Sequence, residues 1–195
     1  MDLVLIRHPA VAVDAGVCYG ASDVPLAGDA AQQASLLAGR LASLGVREPQ
    51  RIETSPLTRC ASVAAALAVM RGHMLQAEAR LAEMDFGAWE MQRWDAIDRA
   101  QIDAWAANFE HAREHGGESV AQFDARVSAW FDTLDAHAKS TVWAVTHAGV
   151  IRTVTARALG MPLARCLRWP LEMAAIVCLR YDVHHAQWLL ARWNA

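Results

Sequence analysis

The sequence predicts an α/β domain of three layers, a mostly parallel sheet flanked by helices. Short apolar runs alternate with segments of helical period along the chain. Two of the runs, Leu3 to Ile6 and Val142 to Val145, are continuously apolar, as strands covered on both faces must be. The chain of 195 residues is 54% hydrophobic, enough for one full core, and no repeat, low-complexity tract or linker divides it. A single domain over residues 1–195 is expected.

Each element follows in order. Leu3 to Ile6 is the first central strand and ends at Arg7 and His8. Ala30, Ala34, Leu37, Leu41 and Leu44 recur at intervals of four and three, the stripe of an amphipathic helix that stops at Gly45. In "RIETSPLTRC", residues 51–60, a short strand leads to Ser55 as N-cap and Pro56 at the first helical position, with the helix running to about Met70. The stretch from Trp89 to Gly117, rich in Trp and charge, fits helices over one end of the sheet, so a helical cover is expected at about 85–118. Ser119 and Gln122 form a capping box ahead of Val120, Phe123, Val127, Trp130 and Leu134, again one apolar stripe. Val142 to Val145 then leads to His147, "AGVIRTVTARALG" is helical, and "AAIVCLRYDVHHAQWLLARW" is a closing hairpin turning around Asp182 to His185.

Several function classes lack support. A formal net charge of −3 argues against an extended nucleic-acid footprint, so any anion must be held locally. Met1 and Asp2 lead straight into the first strand without a basic leader, and apolar runs such as Val63 to Met70 are too short for a bilayer. A cytoplasmic protein without membrane or nucleic-acid partners is expected. Cys18, Cys60, Cys166 and Cys178 have no C-x-x-C spacing, which predicts free thiols.

The candidate site emerges from strand ends. In open α/β sheets ligands bind beyond the carboxyl ends of the strands, where helix N-termini also point. Arg7 and His8 end one strand and His147 another, Arg59 lies in the first turn of the helix after a third, and a helix starts at Ala148 and Gly149. Two guanidinium forks, two imidazoles and a helix N-terminus at one crevice suit a small dianion such as a phosphoryl group.

The same residues carry a resemblance. "LIRHP" at 5–9, "SPLTRC" at 55–60, "LAEMDFGAWE" at 81–90, "GGES" at 116–119 and "VTHAGVIR" at 145–152 resemble the histidine phosphatase, or phosphoglycerate mutase-like, superfamily. "VCYGASDVPL" at 17–26 with "EMDFGAWE" further resembles its alpha-ribazole phosphatase branch, which acts in assembling the lower ligand of cobalamin. The resemblance implies a phosphoglycerate mutase-like fold and a phosphomonoesterase that needs neither metal nor cofactor. It implies His8 as the nucleophile that becomes phosphohistidine, Glu83 as proton donor with Asp85 the nearest alternative, and Arg7, Arg59, His147 and Ala148 as phosphate ligands. Tyr19, Gly20 and Trp89 are candidate contacts to the rest of a small phosphorylated substrate, and a monomer or homodimer is expected. Pro9 stands where the family usually has glycine, Ala10 and Val11 replace polar residues, and Ala30 replaces another glycine at a helix start.

Three alternatives compete. A phosphoglycerate-type mutase is the enzymatic one, although the short stretch from Glu83 to His147 resembles compact phosphatases more. A non-catalytic phospho-ligand module would need no nucleophile and acid together. "HAREH" at 111–115 fits the H-x-x-E-H pattern of an inverted zinc peptidase, but two glycines follow it at once and only Glu118 and Glu172 remain downstream as glutamate ligands.

Overall fold

The computed structural model describes all residues from Met1 to Ala195. Six strands make one sheet: β1 (Asp2–Arg7), β2 (Arg51–Thr54), β3 (Leu75–Ala77), β4 (Thr141–Thr146), β5 (Ile176–Asp182) and β6 (Gln187–Arg192), in the order β3-β2-β4-β1-β5-β6. The first four in that order are mutually parallel, and β5 and β6 add an antiparallel edge. In β1, Leu3 and Leu5 face one layer and Val4 and Ile6 the other, and in β4, Val142 and Ala144 oppose Trp143 and Val145 in the same way. Both runs are buried on two faces, which is why they lack the polar alternation of a one-sided strand.

Helices α1 (Ala30–Ser43) and α2 (Thr58–Arg71) cover the face that presents Val4, Ile6, Trp143 and Val145. Helices α4 (Val120–Phe131) and α5 (Ala148–Ala158) cover the face of Leu3, Leu5, Val142 and Ala144. Between them in sequence lies α3 (Arg99–Ala107), and a short α6 (Leu163–Cys166) follows α5. The predicted capping box of α4 is present in both directions, and α1 starts at Ala30 with Asp29 accepting from the Gln32 N–H. The hairpin of β5 and β6 turns where expected. No helix is long and apolar enough to cross a membrane.

Two expectations need correction, and one strand is new. Helix α2 begins at Thr58, not at Pro56, and Ser55 is not its cap. Asp23, from a distant loop, accepts from the Thr58 N–H and hydroxyl at 2.6 and 2.7 Å, supplying the cap and releasing Ser55 for the site. The cover over 85–118 is mostly turns, with α3 its one α-helix and a single 3-10 turn at Gly87–Trp89. Positive φ at Gly87 and at Met91 interrupts helix there. The three-residue edge strand β3 was not foreseen, being too short and too exposed to carry a period.

Candidate active site

Pairing in the sheet sets the site. Arg7 stands opposite Thr146 in the parallel register of β1 and β4, so His8 and His147 leave the sheet side by side. Their ring centroids lie 5.2 Å apart. A cleft of about 640 Å³ opens at these strand ends, and Arg7, His8, Glu83 and Ala148 all line it.

His8 is only 2% exposed, and its Nδ1 lies 2.7 Å from the Pro9 carbonyl. A carbonyl only accepts, so Nδ1 carries the proton and Nε2 keeps its lone pair. Burial, seconded by the charges of Arg59 and Arg7, lowers the pKa of His8 to about 3, so the ring is neutral near pH 7. A neutral imidazole with a free Nε2 is the form that can attack an electrophile.

Arg59 and His147 lie beneath the cleft, both without exposed surface. The Arg59 guanidinium donates to the Ser22 and Gly20 carbonyls at 2.7 and 2.6 Å and through Nε to His147 Nδ1 at 3.3 Å. His147 Nε2 lies 2.7 Å from Ser55 Oγ. Burial first, then the neighbouring Arg59, holds the His147 pKa well below its ordinary value. The structure brings Arg59 and His147 to the same strand ends as Arg7 and His8 but sets them deeper. Both His147 nitrogens are engaged by protein, and an anion reaches Nε2 only by replacing Ser55.

Glu83 sits against the N-terminus of α5, where its Oε2 accepts from the Gly149 N–H at 3.1 Å. A Cβ at Gly149 would collide with the Glu83 carboxylate, so only glycine permits this approach. Asp85 instead accepts from Gly87 N–H at 2.7 Å within its own turn and does not line the cleft.

Of the candidate substrate contacts, Tyr19 and Gly20 line the cleft. The Arg59 guanidinium also lies over the Tyr19 ring, its Cζ 5.1 Å from the ring centroid. Trp89 does not line it. Its ring packs against Trp94, Trp105 and His115 in a small core of the cover, and its indole N–H donates to Gln101. Phe86 and Trp94 take its place on the wall. Pro9, Ala10 and Val11 belong to a segment tied by backbone bonds to residues 25–27, which turns Val11 and Val13 toward the cleft and makes this wall apolar.

Sequence reasoning missed two residues. Ser55 was absorbed by the N-cap pattern. Arg152, one turn into α5, lines the cleft with Glu83, and its only partner is the Trp169 carbonyl. Burial, with the charge of Arg7, lowers its pKa. The hydrogen bonds of Arg7, Arg59 and Arg152 go to carbonyls and an imidazole rather than to carboxylates. Arg7 and Arg152 each keep a buried Nε–H without an acceptor. Guanidinium charge that makes no ion pair, beside a helix N-terminus, makes an anion site.

Other chemistries fit poorly. Cys60 Sγ lies 3.5 Å from His147 Nε2, which could suggest a thiolate pair, but burial pushes its pKa up and it has no exposed surface. Cys18, on the cleft wall, is likewise pushed up to about 12 by burial and by Glu90. "HAREH" is not helical, and its His115 is buried beside Trp89 while His111 is exposed. No group of three His, Cys, Asp or Glu side chains is placed to share a metal ion.

A family model of the histidine phosphatase superfamily (branch 1) matches residues 3–195. The chain belongs to that superfamily. It is 28% identical over 199 residues to a Salmonella paratyphi B protein named "Probable phosphoglycerate mutase GpmB", with 99% of this chain and 90% of the relative covered. An alpha-ribazole phosphatase from Shigella flexneri superposes with a TM-score of 0.86 over 100% of this chain and 96% of that one, at 24% identity, a likeness of fold. A mycobacterial glucosyl-3-phosphoglycerate phosphatase in complex with inorganic phosphate gives 0.80 at 27% identity, covering 100% and 97%. The mostly parallel α/β fold is thus phosphoglycerate mutase-like, and the protein is a phosphoric monoester hydrolase of the histidine phosphatase type.

Proposed function

We propose that the protein hydrolyses a small phosphorylated metabolite through a phosphohistidine on His8, without metal or cofactor. The observation that carries this reading is the neutral, Nδ1-anchored His8 ring beside the unpartnered Arg7 Nε–H. The Nε2 lone pair forms a bond to phosphorus as the bond to the ester oxygen breaks. Arg7, Arg59 and the α5 N-terminus at Ala148 stabilise the charge gathered on the phosphoryl oxygens. His147 joins them through Nε2–H once a phosphoryl oxygen replaces Ser55. Glu83 gives a proton to the departing oxygen, then takes one from the water that cleaves phosphohistidine, releasing inorganic phosphate and neutral His8.

The substrate reading is alpha-ribazole 5'-phosphate in cobalamin synthesis, in the cytoplasm. It rests on the stretches at 17–26 and 83–90 and on the apolar wall of Val11, Val13, Phe86, Trp94 and Met173, which a larger, partly apolar alcohol would cover. A mutase acting on phosphoglycerates is the second reading, favoured by the likeness to the Salmonella protein. A phosphoglycerate is a small polyanion and would leave that wall uncovered.

The test is a turnover screen over phosphorylated metabolites, including alpha-ribazole phosphate and phosphoglycerates, with rapid acid-free quenching. Labelled phosphate should appear on the wild-type protein and then as inorganic phosphate, and neither should appear with His8→Ala. Label retained on the His8→Ala protein overturns the nucleophile, and transfer to a second alcohol in place of water supports the mutase.

A further inference from the structure

The Arg59 guanidinium has no exposed surface and no carboxylate partner. A buried charge is costly unless something offsets it. Here the offset lies one peptide away, at Glu90, which closes the stretch 81–90 and has no part in the proposed reaction. Glu90 follows the 3-10 turn of the cover and does not line the cleft. Its carboxylate reaches back to the loop that Arg59 holds.

Glu90 Oε1 accepts from the Ala21 N–H at 2.8 Å and from the Phe86 N–H at 2.9 Å, and Oε2 accepts from the Ser22 hydroxyl. The Ala21 N–H and the Gly20 carbonyl are the two ends of one peptide group, and that carbonyl accepts from Arg59 Nη2 at 2.6 Å. The peptide dipole thus has its positive end on the carboxylate and its negative end on the guanidinium, so each charge strengthens the bond at the other end. Ser22 repeats the pattern, its hydroxyl donating to Glu90 while its carbonyl accepts from Arg59 Nη1 at 2.7 Å. A Cβ at Gly20 would collide with Glu90 Oε1, so closely does the carboxylate lie against this peptide. The cover is also fastened to the loop without Glu90, by the Cys18 N–H on the Gln92 carbonyl at 2.8 Å and the Met91 N–H on the Cys18 carbonyl at 2.6 Å. What the carboxylate adds is charge and aim.

We propose that Glu90 is a positioning residue, which aims Arg59 and offsets its charge through the Gly20–Ala21 peptide and Ser22 rather than by an ion pair. Its link to the reaction rests on the phosphatase reading. Protein acceptors engage three of the five guanidinium N–H groups, which leaves two for phosphoryl oxygens. A carboxylate bound directly to Arg59 would compete for those two, whereas Glu90 leaves them available.

Glu90→Gln keeps the shape of the side chain and removes its charge. The full-length 15N-labelled protein gives the direct reading, with the Arg59 Nε–H resonance identified by its loss in Arg59→Lys. In Glu90→Gln that resonance should shift toward the position of free arginine. In single-turnover bursts with an aryl phosphate, phosphorylation of His8 should slow by about tenfold through lost aim. The half-saturating ester concentration should not rise, because the variant removes a negative charge near an anion site. An unmoved Arg59 resonance overturns the proposal. A raised half-saturating concentration with an unchanged burst rate also overturns it, by making Glu90 a plain binding group. Ser22→Ala removes one arm with the carboxylate in place and should shift the same resonance, so if Glu90→Gln does not fold, an unmoved signal in Ser22→Ala overturns the proposal. A shifted Arg59 resonance in Glu90→Gln, with a wild type that turns over no phosphomonoester, would uphold the hold on Arg59 while removing the phosphatase reading.

Discussion

Arg59 donates from Nε to His147 Nδ1 at 3.3 Å, and that one bond decides the state of the second histidine. An arginine nitrogen cannot accept, so Nδ1 must hold a lone pair and the proton of the neutral ring sits on Nε2, facing Ser55. The same guanidinium pins the loop at Gly20 and Ser22, so the loop and the imidazole are both held by a single side chain.

Lysine keeps the charge but lacks the fork that reaches two carbonyls and an imidazole together. Arg59→Lys is expected to lower kcat/KM by roughly 10²-fold, the usual cost of losing one oriented donor. In the wild type, 15N shifts of His147 should show one protonated and one bare nitrogen, and in the variant the two should average toward each other. A fixed Nε2–H tautomer in Arg59→Lys would show that Arg59 does not set it.

Glu83→Gln should slow phosphorylation of His8 by an alkyl phosphate by roughly 10²- to 10⁴-fold, because an alkoxide needs a proton as it leaves. An aryl phosphate, with a stable phenolate, should lose much less. Single-turnover bursts separate this step from the water-activating step that follows. Equal burst losses for both esters would leave Glu83 as a binding carboxylate.

Stability should depend on pH through the two site histidines. Their folded pKa values lie below the ordinary 6.5, His8 at about 3 and His147 well below its normal range, both through burial. The unfolded chain therefore binds more protons as pH falls below 6.5, and stability, complete above that value, is lost on the way down toward 3. Each ring contributes up to about 1.4 kcal/mol per pH unit in that window. Urea unfolding of His8→Asn between pH 6.5 and 5 should show a slope shallower by about one proton, and a slope equal to the wild type would mean that His8 is already charged when folded.

Gly20→Ala should disable the site without touching a charged group. Gly20 has a φ of +26°, and a Cβ there would meet the Met84 carbonyl at 2.6 Å, Phe86 and the Glu90 carboxylate. The loop must shift and withdraw the carbonyl that Arg59 holds. Activity should fall at least tenfold with the fold retained by circular dichroism. Full activity would show that the loop position is not required.

What the sequence disclosed followed from how local its causes were. Arg7, His8 and His147 were legible because a doubly buried strand is a continuous apolar run, and where it stops is visible. Arg59 was legible as a helix-start residue, but not its burial, which depends on the distant loop at Gly20 and Ser22. Ser55 followed the capping pattern and misled, since Asp23 caps α2 from 35 residues upstream. Trp89 and Trp94 could not be ranked from sequence, because the cover folds around its own core of Cys18, Trp89 and Ile97 and sends Trp94 outward. A pocket behind Glu83 draws residues from five separate segments and has no signature of its own.

The parallel seam between β1 and β4 makes catalysis a reporter of chain history. Asp2 pairs with Thr141, so the two halves of the site lie far apart along the polypeptide and meet across most of the chain. Contacts so remote in sequence form late, because closing a long loop costs entropy before any pairing repays it. A slip of one residue in this seam would carry His8 about 3.3 Å along β1 and exchange the faces on which its side chains emerge. Helix content should accordingly return early after dilution from denaturant, while turnover should return only with the last kinetic phase, when the N-terminal strand takes its place in the middle of the sheet.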